Sequence, residues 1–280
     1  MTLESRKKPF HPGRIILYAL LSLSALYFLV PVYVLLVTGL KSFKDVNLER
    51  MWSFPSQVSP QTFLQAFEKL APNLGNSFRL TVPATLISAA LGSLNGYVLS
   101  KWRFRGANLI FPFLLFGMFI PYQSILIPLV QFLSSIKLYG KLTGLIVVHI
   151  IYGIPITTLI FRNYYAEIPD ELLEASFMDG NGFFGSYLRI LLPISAPGFV
   201  VVVIWQFTNI WNEFLFAVTI TQKPSLQPVT VALQNLAGSQ IVEWNVQMAG
   251  ALIAALPTLI IYIALGKFFI GGLLAGSVKS

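Results

Sequence analysis

At 280 residues, with 55% hydrophobic and only 11% charged side chains, the chain falls outside the soluble globular class, where about 25% of residues are charged. Its net charge of +8 would suit nucleic acid, but no basic cluster is interleaved with aromatics and the positive residues flank apolar runs, so lipid and membrane topology account for them. Cysteine is absent, which excludes disulfides, thiolate metal sites and cysteine nucleophiles, and only His11 and His149 offer an imidazole.

Charged residues punctuate the sequence so that six uncharged windows remain: 15–40, 80–100, 106–136, 142–161, 190–212 and 244–266. Each is long enough to cross a hydrocarbon layer about 30 Å thick as a helix. This predicts an all-α polytopic membrane protein with spans over about 15–38, 78–100, 108–132, 143–164, 196–221 and 246–270, forming one domain from 15 to 270. Residues 1–14 carry Arg6, Lys7, Lys8 and Arg14 ahead of the first span, as a cytoplasmic amino terminus does. The apolar run that follows exceeds the roughly 7 to 15 residues of a signal-peptide core, so it reads as a retained helix. Lys41 to Ser77 is the longest polar segment, holds an amphipathic piece from Phe63 to Leu70, and is expected at the outer face. Lys101, Arg103 and Arg105 crowd the short second loop and support that orientation, whereas Lys41, Lys44, Arg50 and Lys69 weaken it.

The second span sets Ala84, Ser88, Gly92 and Gly96 at four-residue steps, a seam of small residues suited to close helix approach. The third carries Pro112, Pro121 and Pro128, with Tyr122 and Gln123 beside the middle proline; carbonyls freed there need a neighbour or water, which fits either a translocation path or a kink. In the fourth, the imidazole of His149 serves either a functional site or a hydrogen bond to a neighbouring helix. The fifth places Gln206, Asn209, Asn212 and Glu213 at i, i+3, i+6 and i+7, with Trp205 and Trp211 nearby. A carboxylate inside a span is costly without a partner or water, so this face meets either a hydroxyl-rich solute or a partner subunit. A further charge-poor gap, 224–242, is too rich in proline and amide side chains to span and reads as an extracytoplasmic loop.

Between the fourth and fifth spans lies one acid-rich island, EIPDELLEASFMDGNGFFGSYLRILLPISAP, residues 167–197. Pro169, followed by Asp170 and Glu171, predicts a helix start. Glu167, Asp170, Glu171 and Glu174 share one face of that helix, and Leu173 and Phe177 another. Gly180 predicts a left-handed cap, Asn181-Gly182 a turn, and Phe183 to Leu192 a second helix that Pro193 stops. Glu174-Ala175-Ser176, then Gly180, then Ile190-x-Leu192-Pro193 resemble the cytoplasmic EAA loop of ATP-binding-cassette (ABC) importer permeases, with Ser176 where a second alanine is usual. The tail GGLLAGSVKS resembles the end of the smaller maltose-type permease subunit.

The resemblance implies a type I ABC importer permease fold, with 167–193 as a coupling loop whose Glu174, Ala175, Ser176, Asp179, Gly180, Ile190, Leu192 and Pro193 engage an ATPase dimer. It also implies a second homologous permease subunit and an extracytoplasmic sugar-binding protein engaged by the loop Gln222 to Asn245. ATP and Mg would be bound by the partner ATPase, with no cofactor on this chain. Residues 271–280 would form a cytoplasmic tail against the ATPase, and the location would be the bacterial inner membrane with both termini cytoplasmic. HIIYGIPITTLIFRNYY is similar to a branch handling glucose and small glucosides such as glucosylglycerol, sucrose or trehalose. The expected function is therefore ATP-driven import of such a sugar, with Tyr122, Gln123, Gln206, Asn209, Asn212 and Glu213 as candidate path residues, although in that family the other permease subunit supplies most sugar contacts. The chain lacks a G-x-x-x-x-G-K-[ST] loop, H-E-x-x-H and G-x-S-x-G, so neither ATP binding nor hydrolase chemistry is expected of it. The competing classes are an importer of another polar solute, such as a polyamine or phosphonate, and an ion-coupled carrier, which would not need the acidic loop and would usually show repeated halves.

Overall fold

The computed structural model describes residues 12–102, 104–238 and 242–275; Arg103 and the last five residues of the expected tail lie outside it. Among the described residues every regular element is helical, and the chain divides into two units, 1–67 with 241–253 and 68–240 with 254–280. The first holds α1 (Pro12–Gly39), the first turns of α2 (Gln61–Lys101) and the start of α12 (Trp244–Ala275). Most of α1 is exposed apolar surface, as a helix that meets lipid must be. The loop after it is fastened by Lys41, which is buried and donates from Nζ to the Arg50 carbonyl, while Asn245 and Thr62 both donate to the Lys41 carbonyl. Ala66, Val246 and Ala249 pack into a small apolar core with Phe63 and Ile253. The amphipathic piece Phe63–Leu70 lies in the first turns of α2, which runs through Pro72 and Pro83 without a break.

The second unit contains the rest of α2, then α3 (Ala107–Phe116), α4 (Leu126–Ser135), α5 (Leu142–Ala166), α6 (Glu171–Met178), α7 (Phe183–Ser186), α8 (Leu192–Ile194), α9 (Ala196–Asn212), α10 (Leu215–Ile220) and α11 (Val229–Ala237). Among the described residues of both units, four helices are long and apolar enough to cross a membrane; the count reaches six if two bent helix pairs each make one span. The window expected at 108–132 is the first of these pairs rather than a single helix; the window expected at 196–221 falls on α9 and α10, and the second pair joins α9 to 183–194 of the acidic island. The first turns by 89° between Phe119 and Tyr122, where Pro121 can donate no backbone bond; Pro112 and Pro128 are accommodated within their helices. The second turns by 75° around Ser195, and its second helix ends at Asn212 before α10 begins.

The small-residue seam of α2 is the packing face its spacing suggests. The Thr157 hydroxyl of α5 donates to the Ser88 carbonyl at 3.0 Å, and a Cβ on Gly92 would overlap the Thr157 side chain. A Cβ on Gly96 would lie 2.7 Å from the Arg162 nitrogen and the Phe161 Cβ, so glycine is what lets these backbones meet. Two clusters flank this crossing. One, around Leu80, Leu133, Leu145, Ile210, Phe216 and Ile220, packs α2, α4, α5, α9 and α10; the other, around Tyr97, Phe161, Tyr165, Tyr187 and Leu191, carries the acidic island.

Candidate functional site

The acidic island is a helical hairpin fixed to the ends of α2 and α5. Its first helix, α6, starts at Glu171 with Asp170 as cap, two residues later than Pro169 predicts, and Glu167 belongs to the end of α5. Gly180 adopts φ +82°, the left-handed cap the sequence calls for. Pro193 does not stop the second helix. Tyr187–Leu191 widens into a π turn ahead of it, which relieves the clash of a proline ring with the carbonyl four residues back, and Pro193 then sits in the first turn of α8. Leu173 and Ser176 face inward from α6; Ser176 Oγ lies 2.9 Å from Ser186 Oγ, both buried, so the serine in place of alanine joins the two arms of the hairpin.

Glu171, Glu174, Ala175, Asp179 and Gly180 are solvent-exposed, Ile190 and Leu192 are half-buried and Pro193 is exposed. Around the acids stand apolar side chains left exposed among the described residues: Leu172, Met178 (88% exposed), Phe184 and Leu188. Carboxylates beside uncovered apolar groups make a surface suited to a partner protein.

Lys101, which the sequence marked only as part of a charge cluster, and the unmarked Trp102, Tyr97 and Ser93 hold the hairpin from the α2 side. Lys101 Nζ bonds the Ile168 carbonyl and the Asp170 carboxylate, with its own side chain only 4% exposed. The Trp102 ring meets Phe177 and Phe183, with centroids 5.9 and 5.1 Å away, and Tyr97 stacks on Tyr187 at 5.5 Å. Deeper in, Ser93 Oγ lies 2.8 Å from the Tyr187 hydroxyl and also bonds Tyr165 of α5, which reaches Ser195. The hairpin is therefore bonded to both α2 and α5.

A second polar feature lies in the same unit: a cavity of about 510 Å³ between the bend at Pro121, α5 and the α9–α10 break. Five of the six candidate path residues line it, namely Tyr122, Gln206, Asn209, Asn212 and Glu213; Gln123 does not. His149 and Trp205 also contribute to its wall. Glu213 is not on the helix face expected of it, because α9 ends at Asn212 and the extended Glu213 backbone turns its carboxylate onto the start of α10. There it accepts from the Phe216 and Ala217 amides at 2.7 and 3.1 Å. Asn209 and Asn212 donate to the Trp205 and Thr208 carbonyls of their own helix. Trp211 faces away from the cavity: it is buried, stacks on Phe207 and donates to the Ala254 carbonyl. Among the described residues the hydrogen bond expected from His149 to a neighbouring helix is not formed: Nε2 is buried with no hydrogen-bond partner, and Glu213 Oε2 is 3.7 Å away, beyond hydrogen-bond reach.

Residues 82–271 match the family model described as binding-protein-dependent transport system inner membrane component. The chain is 46% identical over 96% of its length to a probable ABC transporter permease of Pyrococcus horikoshii, covering 98% of that protein. It is 35% identical over 93% of its length to a xylose/arabinose import permease of Haloferax volcanii, covering 92% of it. Its fold aligns, at TM-score 0.81 and 20% identity, with a chain in the crystal structure of a bacterial ABC transporter involved in the import of the acidic polysaccharide alginate, over 94% of this chain and 100% of that one. With the exposed acidic hairpin and the six apolar segments, these matches establish that the chain belongs to the inner-membrane permease components of binding-protein-dependent ABC importers.

Proposed function

We propose that this chain is one of two homologous permease subunits that move a sugar inward across the plasma membrane, driven by ATP hydrolysis on a separate ATPase dimer and supplied by an extracytoplasmic sugar-binding protein. The observation that carries the reading is the hairpin 167–193, which pairs an uncovered acidic and apolar surface with a buried fastening to α2 and α5. Glu174, Ala175, Ser176, Asp179, Gly180, Ile190, Leu192 and Pro193 are its coupling residues. ATP and Mg belong to the ATPase, this chain holds no cofactor, and both termini and the hairpin face the cytosol. Nucleotide-driven closure of the ATPase pair displaces the hairpin, and its bonds pass the movement into the spans, which rock between inward-open and outward-open states. Sugar as the cargo is supported by the two pentoses named for the Haloferax relative and by the sequence likeness to glucose and glucoside permeases, so glucose or a small glucoside leads the panel to be tried.

Uptake of radiolabelled glucose, xylose and trehalose by cells carrying the whole transporter tests the reading. Gly180→Pro, which forces φ near −65° where the cap needs +82°, and Glu174→Lys should each abolish uptake while the chain stays in the membrane fraction. Wild-type uptake by either variant refutes the lever. Because the chain has no cysteine of its own, Met178→Cys gives a single labelling site, and reaction with an impermeant maleimide from outside the cell would reverse the orientation.

A further inference from the structure

We infer that residues 43–58, in the loop after α1, form an interfacial lipid anchor that lies at the boundary of headgroups and hydrocarbon and holds this end of α1 at a fixed depth; its leaflet, the outer one, rests on the orientation proposed above. The loop has a set shape. The Tyr33 hydroxyl of α1 donates to the Trp52 carbonyl at 2.8 Å, Lys41 Nζ and Ser53 Oγ donate to the Arg50 carbonyl, the Ser59 amide to the Leu40 carbonyl and the Ser56 amide to the Asp45 carboxylate. While these polar groups are tied within the protein, Phe43, Leu48 (88% exposed), Trp52, Phe54 (76% exposed) and Val58 are turned outward. Large apolar groups displayed by a fastened loop make an interaction surface.

The level of that surface along α1 selects lipid as its cover. With 28 residues, α1 is about 42 Å long against about 30 Å of hydrocarbon, so a centred helix overhangs by about 6 Å at each end. Tyr33 lies about 9 Å before the last residue, Gly39, and so sits at the hydrocarbon edge. The Phe54 ring meets the Tyr33 ring edge-on at 6.0 Å, and Trp52 is bonded to the Tyr33 hydroxyl, so this limb of the loop descends beside α1 instead of rising away from the bilayer. Val30, Val32 and Leu36, exposed on α1 around this level, continue the same apolar surface. Tyr and Trp rings with the exposed cations Lys44 and Arg50 beside them have the composition of a membrane–water belt, where the rings lie at headgroup level and the cations reach phosphate. Between the loop and the helices α1 and α12 is a cavity of about 420 Å³, lined mainly by Val34, Val46, Leu48, Met51, Trp244 and Met248. An acyl chain reaching past Leu48 meets an apolar wall there.

Because the chain has no cysteine, Leu48→Cys and Phe54→Cys each provide one site for a nitroxide label. The transporter is purified on a tagged copy of this chain and placed in vesicles of phosphatidylcholine and phosphatidylglycerol. Collisions of the label with molecular oxygen, which concentrates in hydrocarbon, are then compared with collisions with a water-soluble nickel chelate; the cysteine-free chain taken through the same steps supplies the background from other subunits. The expected result is several-fold more access for oxygen than for nickel at both positions. Adding Trp52→Ser and Phe54→Ser to Leu48→Cys should raise nickel access several-fold, as a shallower anchor requires.

Labels that meet nickel more than oxygen place the loop in water and overturn the anchor. Labels shielded from both reveal a protein cover, whether the second permease or the binding protein, and overturn it as well. Unchanged nickel access in the serine variant removes Trp52 and Phe54 from the anchor. Should Phe54→Cys be missing from the membrane, Leu48→Cys, whose side chain is almost fully exposed, decides alone. Failure of the transporter to take up sugar overturns the import reading and leaves these collisions as they are, whereas labelling of Met178→Cys from outside the cell moves the anchor to the other leaflet.

Discussion

Lys101 offers the sharpest separation between bonds that hold the hairpin and bonds that merely decorate it. Its ammonium touches two acceptors of different standing: the Ile168 carbonyl, in a partly buried bond, and the carboxylate of Asp170, whose side chain is 73% exposed. Lys101→Met keeps the apolar stem and removes the donor. A hydrogen bond from a charged group to a carbonyl contributes about 1.5–3 kcal/mol. The ion pair to a solvated carboxylate contributes about 0–1 kcal/mol, because water and salt screen it. Losing about 2 kcal/mol changes a local opening equilibrium about 30-fold. Amide hydrogen exchange in purified protein should therefore show protection over 171–178 falling by about that factor in Lys101→Met, and only a few-fold in Asp170→Asn. In cells, the lysine variant should also take up less solute at equal membrane levels. Equal loss of protection in the two variants, or a larger loss in Asp170→Asn, would refute the assignment of the clamp to the carbonyl.

Three further expectations follow from the packing. Ser176→Ala leaves the buried Ser186 hydroxyl without its partner, and the reverse holds for Ser186→Ala, so each should cost about 1 kcal/mol while the double variant costs clearly less than the sum; thermal denaturation of the four proteins in detergent closes the cycle. Gly96→Ala must push Cβ against backbone atoms of α5 that cannot rotate away and should destabilise by about 1–3 kcal/mol, whereas Gly75→Ala, on the same helix with open space around it, should stabilise by about 0.5–1 kcal/mol; equal shifts in Tm would contradict the close crossing. In the first loop, the Ser56 amide donates to the Asp45 carboxylate and holds its pKa below 3.8. That bond therefore supports the loop above this pH and its support is lost as pH falls through the lowered value; Asp45→Asn should abolish this acid dependence in proteolysis of residues 43–56.

What could be read without coordinates was set by solvent and by local chain geometry. Charges cannot sit in hydrocarbon, so the gaps between them marked the apolar segments. The Gly180 cap, the hairpin around Asn181-Gly182 and the four-residue seam of α2 depend on residues a few positions apart, and they stand where their spacing put them. Proline was the ambiguous signal. Pro121 marks the 89° bend while Pro72, Pro83, Pro112 and Pro128 lie inside helices, because each outcome depends on whether neighbouring segments satisfy the freed carbonyl. Long-range pairing was beyond local reasoning altogether. The chain by itself does not say that Lys101 finds Ile168, that Tyr187 finds Ser93, that Glu213 leaves the face of α9 to cap α10, or that Trp211 turns inward while Trp205 faces the cavity. Each of those contacts joins groups that only the packing of separate helices brings within reach, and the unpartnered nitrogen of His149 exists because that packing closes around it.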